Sequence, residues 1–196
     1  IGENAFNDCS SLKEIIFPSS LSMIGKNAFN NCSSLKKITI TSPKTMVGEY
    51  AFSDCSSLEE ITIPSSITKI WDYTFYNCSS LKNIPISTSV TSIGDCAFGN
   101  SSILLYTHTN DNGVSSYAVY FKDKKHLIIS DKYAGADLFV KPFLSEIQKV
   151  TLYPLSTSIR DNGFEKCTSL NQIEFLSELT TIGNFAFSRC NSLQKI

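Results

Sequence analysis

Apolar residues recur along the chain with a 23-residue period and divide the sequence into similar units. Each unit follows the pattern Ile-Gly-x-x-Ala-Phe-x-x-Cys-Ser-Ser-Leu-x-x-Ile-x-Ile-Pro and then continues with a polar stretch. The units begin at Ile1, Ile24, Val47, Ile70, Ile93, Ile159 and Ile182. A repeat of this length predicts a solenoid, in which each unit stacks on its neighbours to bury one shared core.

The Leu-x-x-Ile-x-Ile segment of each unit predicts a short strand, because apolar residues two positions apart share one face of a strand. In the first unit the inward residues are Leu12, Ile15 and Phe17. A single strand of this length cannot bury its apolar face. We therefore expect the strands of successive units to pair in a parallel sheet.

The Ala-Phe half of the unit predicts a stack of aromatic rings inside the solenoid. Its members are Phe6, Phe29, Phe52, Phe75, Phe98, Phe164 and Phe187. The polar residues just before the pair, such as Asn4 and Asn27, predict the cap of a short helical turn. The glycine that opens the unit is replaced by Trp71 and Arg160 in two copies. This column therefore does not strictly demand a positive φ, and we expect a tight but ordinary turn there.

An irregular segment interrupts the repeats over residues 104–145. Residues 117–121 and 126–129 are apolar runs joined by a short charged turn, which predicts a β-hairpin. The step from Ile93 to Ile159 falls only three positions short of three full periods, so the solenoid can keep its phase. The expected organisation is five repeat units over residues 1–103, the hairpin insert over 104–145, and further repeats over 146–196.

These motifs together resemble the BspA-like (Treponema-type) leucine-rich repeat over residues 1–103 and about 147–196. The resemblance implies an α/β-type solenoid with short parallel strands on a concave face and short helical turns or irregular coil on a convex face. It also implies a non-enzymatic, adhesin-like protein-binding module at a cell surface or in secreted form. Its partner would be a host extracellular-matrix or cell-surface protein. The alternatives are an intracellular scaffold in the cytoplasm and a repeat arm of a larger multidomain protein.

Composition and motifs exclude several other classes of protein. The 17 basic and 18 acidic side chains are nearly balanced, which argues against a nucleic-acid-binding surface. No apolar run approaches the length of a membrane helix. Nucleophile elbows, phosphate loops and dinucleotide fingerprints are missing from the sequence, so we predict no enzymatic activity and no cofactor. The chain starts and stops inside a repeat unit, so we expect a piece of a longer array whose signal peptide, anchor and capping repeats lie elsewhere.

Six of the seven cysteines fall in one column of the repeat. They are Cys9, Cys32, Cys55, Cys78, Cys167 and Cys190. We interpret them as buried packing thiols, because side chains in one column point in parallel and not at one another. A disulfide ladder is the alternative. A metal site is not predicted, because Cys-x-x-Cys and Cys–His spacings are missing from the sequence. Cys96 lies in another column and should be exposed.

Outward-facing strand residues form two columns that we expect to bind a protein, the alternative being ordinary solvated sheet positions. One column contains Glu14, Lys37, Glu60, Asn83, Lys149 and Gln172, and the other contains Thr39, Thr62, Thr151 and Glu174. A second candidate is an aromatic patch of Tyr50, Trp71, Tyr73 and Tyr76, which occupy columns otherwise filled by small or polar residues. This patch could instead cover the apolar flank of the solenoid. Asn31, Asn77 and Asn100 lie in glycosylation sequons that the repeat can also create by accident. Exposed end coils could support end-to-end self-association.

Overall fold

The computed structural model describes residues 1–82, 84–109, 115–130, 133–135, 141–176 and 178–196. The chain divides into two compact units, Ile1–Leu105 (unit 1) and Tyr106–Ile196 (unit 2). In both, every coil contributes short strands that pair with the equivalent strands of the neighbouring coils.

Unit 1 has two kinds of short strand, one of two residues and one of three. Its strands are β1 (Met23–Ile24), β2 (Lys37–Thr39), β3 (Met46–Val47), β4 (Glu60–Thr62), β5 (Lys69–Ile70) and β6 (Ser92–Ile93). β2 and β4 pair in parallel with Ile38 opposite Ile61, and Glu14 extends this ladder through a single bridge to Lys37. β1 pairs with β3 and β5 pairs with β6, again in parallel. The register of every pair is the repeat period of the sequence.

Unit 2 builds a larger sheet. The remaining strands are β7 (Ile103–Thr109), β8 (Ser115–Phe121), β9 (His126–Ser130), β10 (Tyr133–Ala134), β11 (Lys149–Leu152), β12 (Ser158–Ile159), β13 (Gln172–Phe175) and β14 (Thr181–Ile182). Five strands lie in the order β13-β11-β9-β8-β7, and β10, β12 and β14 form a separate three-stranded sheet. β8 and β9 are an antiparallel hairpin, whereas β9, β11 and β13 are parallel. The second strand of the hairpin is therefore also a strand of the solenoid.

The α/β part of the predicted fold is not confirmed, because the described residues form a β-solenoid with almost no helix. Within the described residues, the helical segments are two 3-10 stretches, Lys122–Lys124 and Lys141–Glu146. The predicted helical turn is replaced by tight turns because its N–H groups bond to the next coil. The amides of Asn27, Phe29 and Asn31 donate to carbonyl oxygens one coil further on, at 2.8–3.0 Å. Those donors are then not available for helical hydrogen bonds.

Each of the seven repeat units contains two residues in the left-handed region, four positions apart. In the first coil these are Asn4, with φ of 55°, and Asp8, with φ of 61°. Asn and Asp tolerate this conformation better than other non-glycine residues. The polar residues before the Ala-Phe pair therefore form the turn by adopting a left-handed backbone conformation. They do not act as helix caps. The opening glycine does not have a positive φ. A Cβ on Gly25 would lie 2.7 Å from the amide nitrogen of Glu3, so that glycine permits close approach of two coils.

The core is a stack of parallel phenylalanine rings with aliphatic side chains around it. In unit 1 the stack consists of Phe6, Phe29, Phe52, Phe75 and Phe98, with successive ring centroids 5.0, 5.4, 5.8 and 5.6 Å apart. In unit 2, Phe164 and Phe187 stack at 5.5 Å. Phe52 and Phe164 are fully buried. In the part of the chain that the structure describes, we find no helix with the length and apolar character needed to cross a membrane.

Candidate functional site

The strand face of unit 1 presents a ladder of exposed polar residues, which we define as Glu14, Lys37, Glu60, Thr39 and Thr62. Parallel pairing places Lys37 between Glu14 and Glu60, and Thr39 beside Thr62. The Lys37 ammonium lies 2.8 Å from the Glu60 carboxylate, and both side chains are largely in solvent. Their hydrogen bond raises the pKa of Lys37 and lowers that of Glu60. Asn83, the next predicted member of this column, lies outside the described residues.

The strand face of unit 2 is a connected polar network of His126, Lys149, Thr151, Gln172 and Glu174. One carboxylate oxygen of Glu174 lies 2.9 Å from the Lys149 ammonium and accepts a hydrogen bond from the Thr151 hydroxyl at 3.1 Å. The other oxygen accepts a hydrogen bond from the Gln172 amide at 3.2 Å. These surroundings lower the pKa of Glu174, the bond to Lys149 most of all. Thr151 is only 5% exposed, so the network holds its hydroxyl group below the solvent-exposed surface.

His126 completes this network, and it is absent from the columns predicted above. The Thr151 hydroxyl donates to Glu174, so its oxygen accepts from the Nε2–H of a neutral His126 at 2.9 Å, a tautomer assigned from the bonding pattern. Burial, together with the nearby Lys149 ammonium, lowers the pKa of His126 to about 4. The signal was present in the sequence, because His126 lies one repeat period before Lys149. The position of His126 in the repeat was overlooked because its segment of the sequence resembles an insert and not a repeat.

The predicted aromatic patch separates into two groups. Tyr50 and Tyr73 stack face to face with centroids 4.7 Å apart, and Tyr76 meets Tyr73 edge-on at 5.5 Å. We call these three residues the tyrosine ladder. Trp71 is instead covered by the Lys69 ammonium, 3.6 Å from the ring centroid, and is 40% exposed. It also lines an apolar cavity that includes Phe75. This position corresponds to the alternative that an aromatic residue covers the flank of the solenoid.

Two members of the tyrosine ladder, Tyr50 and Tyr73, occupy a column whose backbone favours asparagine. Tyr50 and Tyr73 have φ of 54° and 55°, as Asn4 and Asn27 do in the same column. A bulky side chain in this conformation costs roughly 1 kcal/mol or more. Cys96 is the next residue in the column, and it is exposed as predicted. Its proximity, with that of Tyr50, raises the pKa of Tyr73.

The cysteine ladder is buried only in its inner members. Cys32, Cys55, Cys78 and Cys167 are buried, and all seven cysteines are free thiols. The Sγ atoms of Cys32, Cys55 and Cys78 each donate to the carbonyl of a phenylalanine in the preceding coil, at 3.1–3.3 Å. Burial raises the pKa of Cys32 to about 11 and that of Cys78 to about 12.

Burial was wrongly predicted for two members of this ladder, because Cys9 is exposed and Cys190 is half-buried. Cys9 belongs to the first described coil and Cys190 to the last. Each therefore has a neighbouring coil on one side only. Within the described residues there is no group of His, Cys, Asp and Glu arranged to hold a metal ion.

Comparison with known proteins gives one family and several similar folds. The family model for the BspA type leucine rich repeat region matches residues 1–127 and 137–196 in six copies. A leucine-rich repeat protein from Treponema pallidum is 25% identical with a TM-score of 0.52, and the match covers 98% of this chain and 70% of that one. A leucine-rich repeat protein from Bacteroides ovatus is 24% identical with a TM-score of 0.37, covering 97% and 62% of the two chains.

A leucine-rich cell surface protein from Faecalibacterium prausnitzii is 22% identical with a TM-score of 0.33, covering 100% of this chain and 63% of that one. This chain therefore spans less than two thirds of the Bacteroides and Faecalibacterium proteins. Among curated proteins, no match was found.

Proposed function

Because the chain belongs to the BspA-type leucine-rich repeat family, we propose that it binds a protein partner through its two strand faces. Leucine-rich repeat domains generally mediate protein–protein interaction and are generally non-catalytic. The observation that supports this use of the strand faces is the parallel register. It places Lys37 beside Glu60 and Thr151 beside Glu174 on neighbouring strands.

The chemistry of the strand faces favours a broad protein contact. Adjacent parallel strands repeat about every 4.8 Å, so each column offers polar groups at a regular spacing along the surface. Both signs of charge occur on each face, as in the Lys37–Glu60 and Lys149–Glu174 pairs. The network of unit 2 is already ordered before a partner arrives, which lowers the entropy cost of binding. The exposed pair of unit 1 must lose side-chain freedom when a partner covers it.

The finer proposal is an adhesin-like protein at a cell surface or in secreted form, with a host extracellular-matrix or cell-surface protein as its partner. Its support is the family resemblance. The cytoplasmic scaffold is the alternative, and the free thiols favour it, because reducing compartments keep cysteines unpaired. Protease treatment of intact cells that express the full-length protein separates the two. Loss of the repeat region supports the surface location, and complete protection contradicts it.

The binding proposal is tested by exchanging charges on one strand face. Lys37→Glu combined with Glu60→Lys keeps the net charge and the ion pair but inverts the pattern that a partner meets. Immobilised protein is incubated with host extracellular proteins and, separately, with cytosolic extract, and the captured proteins are quantified by mass spectrometry.

We expect the exchange to reduce capture of a specific protein by tenfold or more, about 1.4 kcal/mol. A control combines Lys44→Glu with Glu178→Lys, which are exposed positions outside both columns. Equal capture by the exchanged variant and the control would contradict the use of this face.

A further inference from the structure

The two-residue strands of unit 1 lie on a surface that exposes large apolar side chains. We define this second-strand face as residues 18–25, 41–48, 64–71 and 87–94, which contain β1, β3, β5 and β6. Both methionines of the chain and its single tryptophan lie here. Met23, Met46 and Trp71 are 45%, 65% and 40% exposed, and parallel pairing places Met23 beside Met46. Exposed Met and Trp side chains of this kind are typical of interaction surfaces.

The backbone hydrogen bonds between coils are interrupted on this face at Trp71. Elsewhere, the amide at this position of the repeat donates to a carbonyl of the preceding coil. This bond, 2.8–3.2 Å long, is made by Gly25, Gly48, Gly94, Arg160 and Gly183. Within the described residues, the Trp71 amide makes no such bond to Val47, and the Lys69 amide makes none to Thr45. β1–β3 and β5–β6 are accordingly separate sheets.

The size of two side chains explains the interruption. Trp71 replaces the glycine of the repeat and Thr74 replaces the alanine. Space is short in the glycine column, because even a Cβ on Gly48 would lie 2.9 Å from a backbone nitrogen of the preceding coil. The rings of Phe52 and Phe75, at the same pair of coils, are 5.8 Å apart, the widest spacing in the stack of unit 1.

The interruption leaves an opening between β3 and β5. Thr45 and Val47, whose carbonyl oxygens have no partner across it, are only 3% and 7% exposed. Backbone polar groups in folded proteins are nearly always paired, with protein, water or a ligand. An apolar cavity lies at the same place, with Val47, Ile70 and Trp71 among its walls. The opening therefore combines unpaired backbone groups with apolar side chains that are not fully packed.

The charges of this face have one sign. Its charged residues are Lys44 and Lys69, both exposed. Neither forms an ion pair within the described residues, whereas Lys26 and Lys37 each bind a glutamate. The Lys69 ammonium lies over the Trp71 ring, beside the unpaired amides. Positive charge and N–H donors next to apolar side chains suit a carboxylate that neighbours an apolar group.

We propose that the second-strand face binds an acidic segment of a partner protein, in which Asp or Glu residues flank a Leu or Phe side chain. The apolar side chain packs on Met46 and Trp71, and the cavity gives the indole ring room to shift. A carboxylate binds the Lys69 ammonium, and the backbone of the segment pairs with groups at the opening. This surface is distinct from the strand faces of the proposed function, which carry both signs of charge.

The fluorescence of Trp71 reports binding directly, because it is the single tryptophan. The purified chain is titrated with the peptide Glu-Glu-Leu-Phe-Glu-Glu. The comparison peptides are Lys-Lys-Leu-Phe-Lys-Lys and Glu-Glu-Ser-Ser-Glu-Glu, which change the charge and the apolar residues separately. We expect a saturable change in emission with the first peptide alone. Equal binding of either comparison peptide, or binding of phosphatidylserine vesicles without the first peptide, would overturn the proposal.

Substitutions at exposed positions test the individual contacts, with a fluorescently labelled form of the first peptide followed by anisotropy. Lys69→Gln and Met46→Ser should each weaken binding about fivefold. Lys82→Gln and Leu176→Ser make comparable changes at exposed positions away from this face and should have no effect. Equal losses in the variants and their controls would contradict the assignment.

Restoring the repeat tests the role of the opening. Trp71→Gly combined with Thr74→Ala should join β3 to β5, slow hydrogen exchange of the Lys69 amide, keep or raise the thermal stability, and abolish peptide binding. Full affinity in this double variant would overturn the proposal.

The two proposed surfaces can fail separately. The Lys37/Glu60 exchange should leave peptide binding unchanged. Lys44→Glu with Glu178→Lys, the control for the strand face, should weaken it, because Lys44 belongs to the second-strand face. The opposite pattern would place the peptide on the strand face.

Discussion

Unit 1 and unit 2 are built from the same repeating coil, yet they hold their polar strand residues in different ways. Thr62 in unit 1 and Thr151 in unit 2 occupy equivalent positions in the sheet register. Thr62 is exposed, whereas Thr151 is buried under the side chains of His126 and Glu174. The backbone is therefore set by the apolar columns, and the neighbouring polar side chains decide whether a strand position is solvated or enclosed.

The cores of the two units can also be compared, by removing one stacked phenylalanine from each and measuring the loss of stability. Phe52→Ala should destabilise unit 1 by about 3–5 kcal/mol, because the ring is fully buried and stacks on both Phe29 and Phe75. Among the described residues the buried ring of Phe164 in unit 2 stacks on Phe187 only, so we expect a smaller loss for Phe164→Ala. Urea unfolding followed by the fluorescence of the single tryptophan, Trp71, reports on unit 1. Hydrogen exchange of β11 reports on unit 2. Equal losses would show that ring stacking adds little beyond burial.

Acidification between pH 6.5 and pH 4 should weaken unit 2 more than unit 1. The pKa of folded His126, about 4, lies below the ordinary value of 6.5, so the unfolded chain takes up the proton first as the pH falls. The stability of unit 2 should fall between pH 6.5 and pH 4, by up to about 3 kcal/mol. Glu174, whose pKa is also lowered, adds to the loss at the acid end.

The measurement is hydrogen exchange of β9 and β11 across this pH range, with the intrinsic rates corrected for pH. His126→Gln should remove most of the dependence between pH 6.5 and 5. An NMR titration of the His126 ring gives an independent check. A midpoint near 6.5 would show that the imidazole is not enclosed as the structure indicates.

A smaller effect is expected for the two threonines. Thr151→Val replaces the hydroxyl by a methyl group of similar shape and leaves Glu174 and His126 each without one hydrogen bond. The expected cost is about 1–2 kcal/mol in unit 2. Thr62→Val in unit 1 is the matched control and should be close to neutral, because the side chain is exposed. A comparable loss in both variants would mean that burial of Thr151 does not matter.

The smallest effect concerns the exposed ion pair. Glu60→Gln should leave the unfolding midpoint of unit 1 unchanged, because the Lys37–Glu60 pair is solvated and such pairs contribute little. Glu174→Gln should lower the stability of unit 2 measurably, since its carboxylate accepts bonds from Lys149, Thr151 and Gln172. A larger loss of stability in Glu60→Gln than in Glu174→Gln would contradict this expectation.

Much of the fold could be predicted from the sequence, because residues one repeat period apart occupy equivalent positions in successive coils of a solenoid. Once Ile38 and Ile61 are placed in one column, the pairing of Lys37 with Glu60 follows, and the structure has this register. The phenylalanine stack follows by the same argument, since Phe29 and Phe52 are one period apart. The family itself is shown by the match over most of the chain.

The turns could not be predicted in the same way. Asn27 before the Ala-Phe pair suits both a helix cap and a left-handed residue, and the choice depends on hydrogen bonds to the next coil. The second strand of each coil, such as β1, is only two residues long and leaves almost no alternation in the sequence. His126 was missed because a neutral, half-buried imidazole depends on Thr151 and Glu174, which lie far away along the chain.

Because of the cysteine ladder, correct folding of this chain requires that the coils stack before the thiols are oxidised. In the unfolded chain, Cys32, Cys55 and Cys78 are separated by loops of a single repeat period, a length that disulfides close easily. After folding, each Sγ is committed to a carbonyl of the preceding coil and its thiolate form is suppressed. An oxidant present before the coils stack would therefore lock wrong covalent loops into the chain. The same oxidant added afterwards would find only the thiols of Cys9 and Cys96 fully accessible.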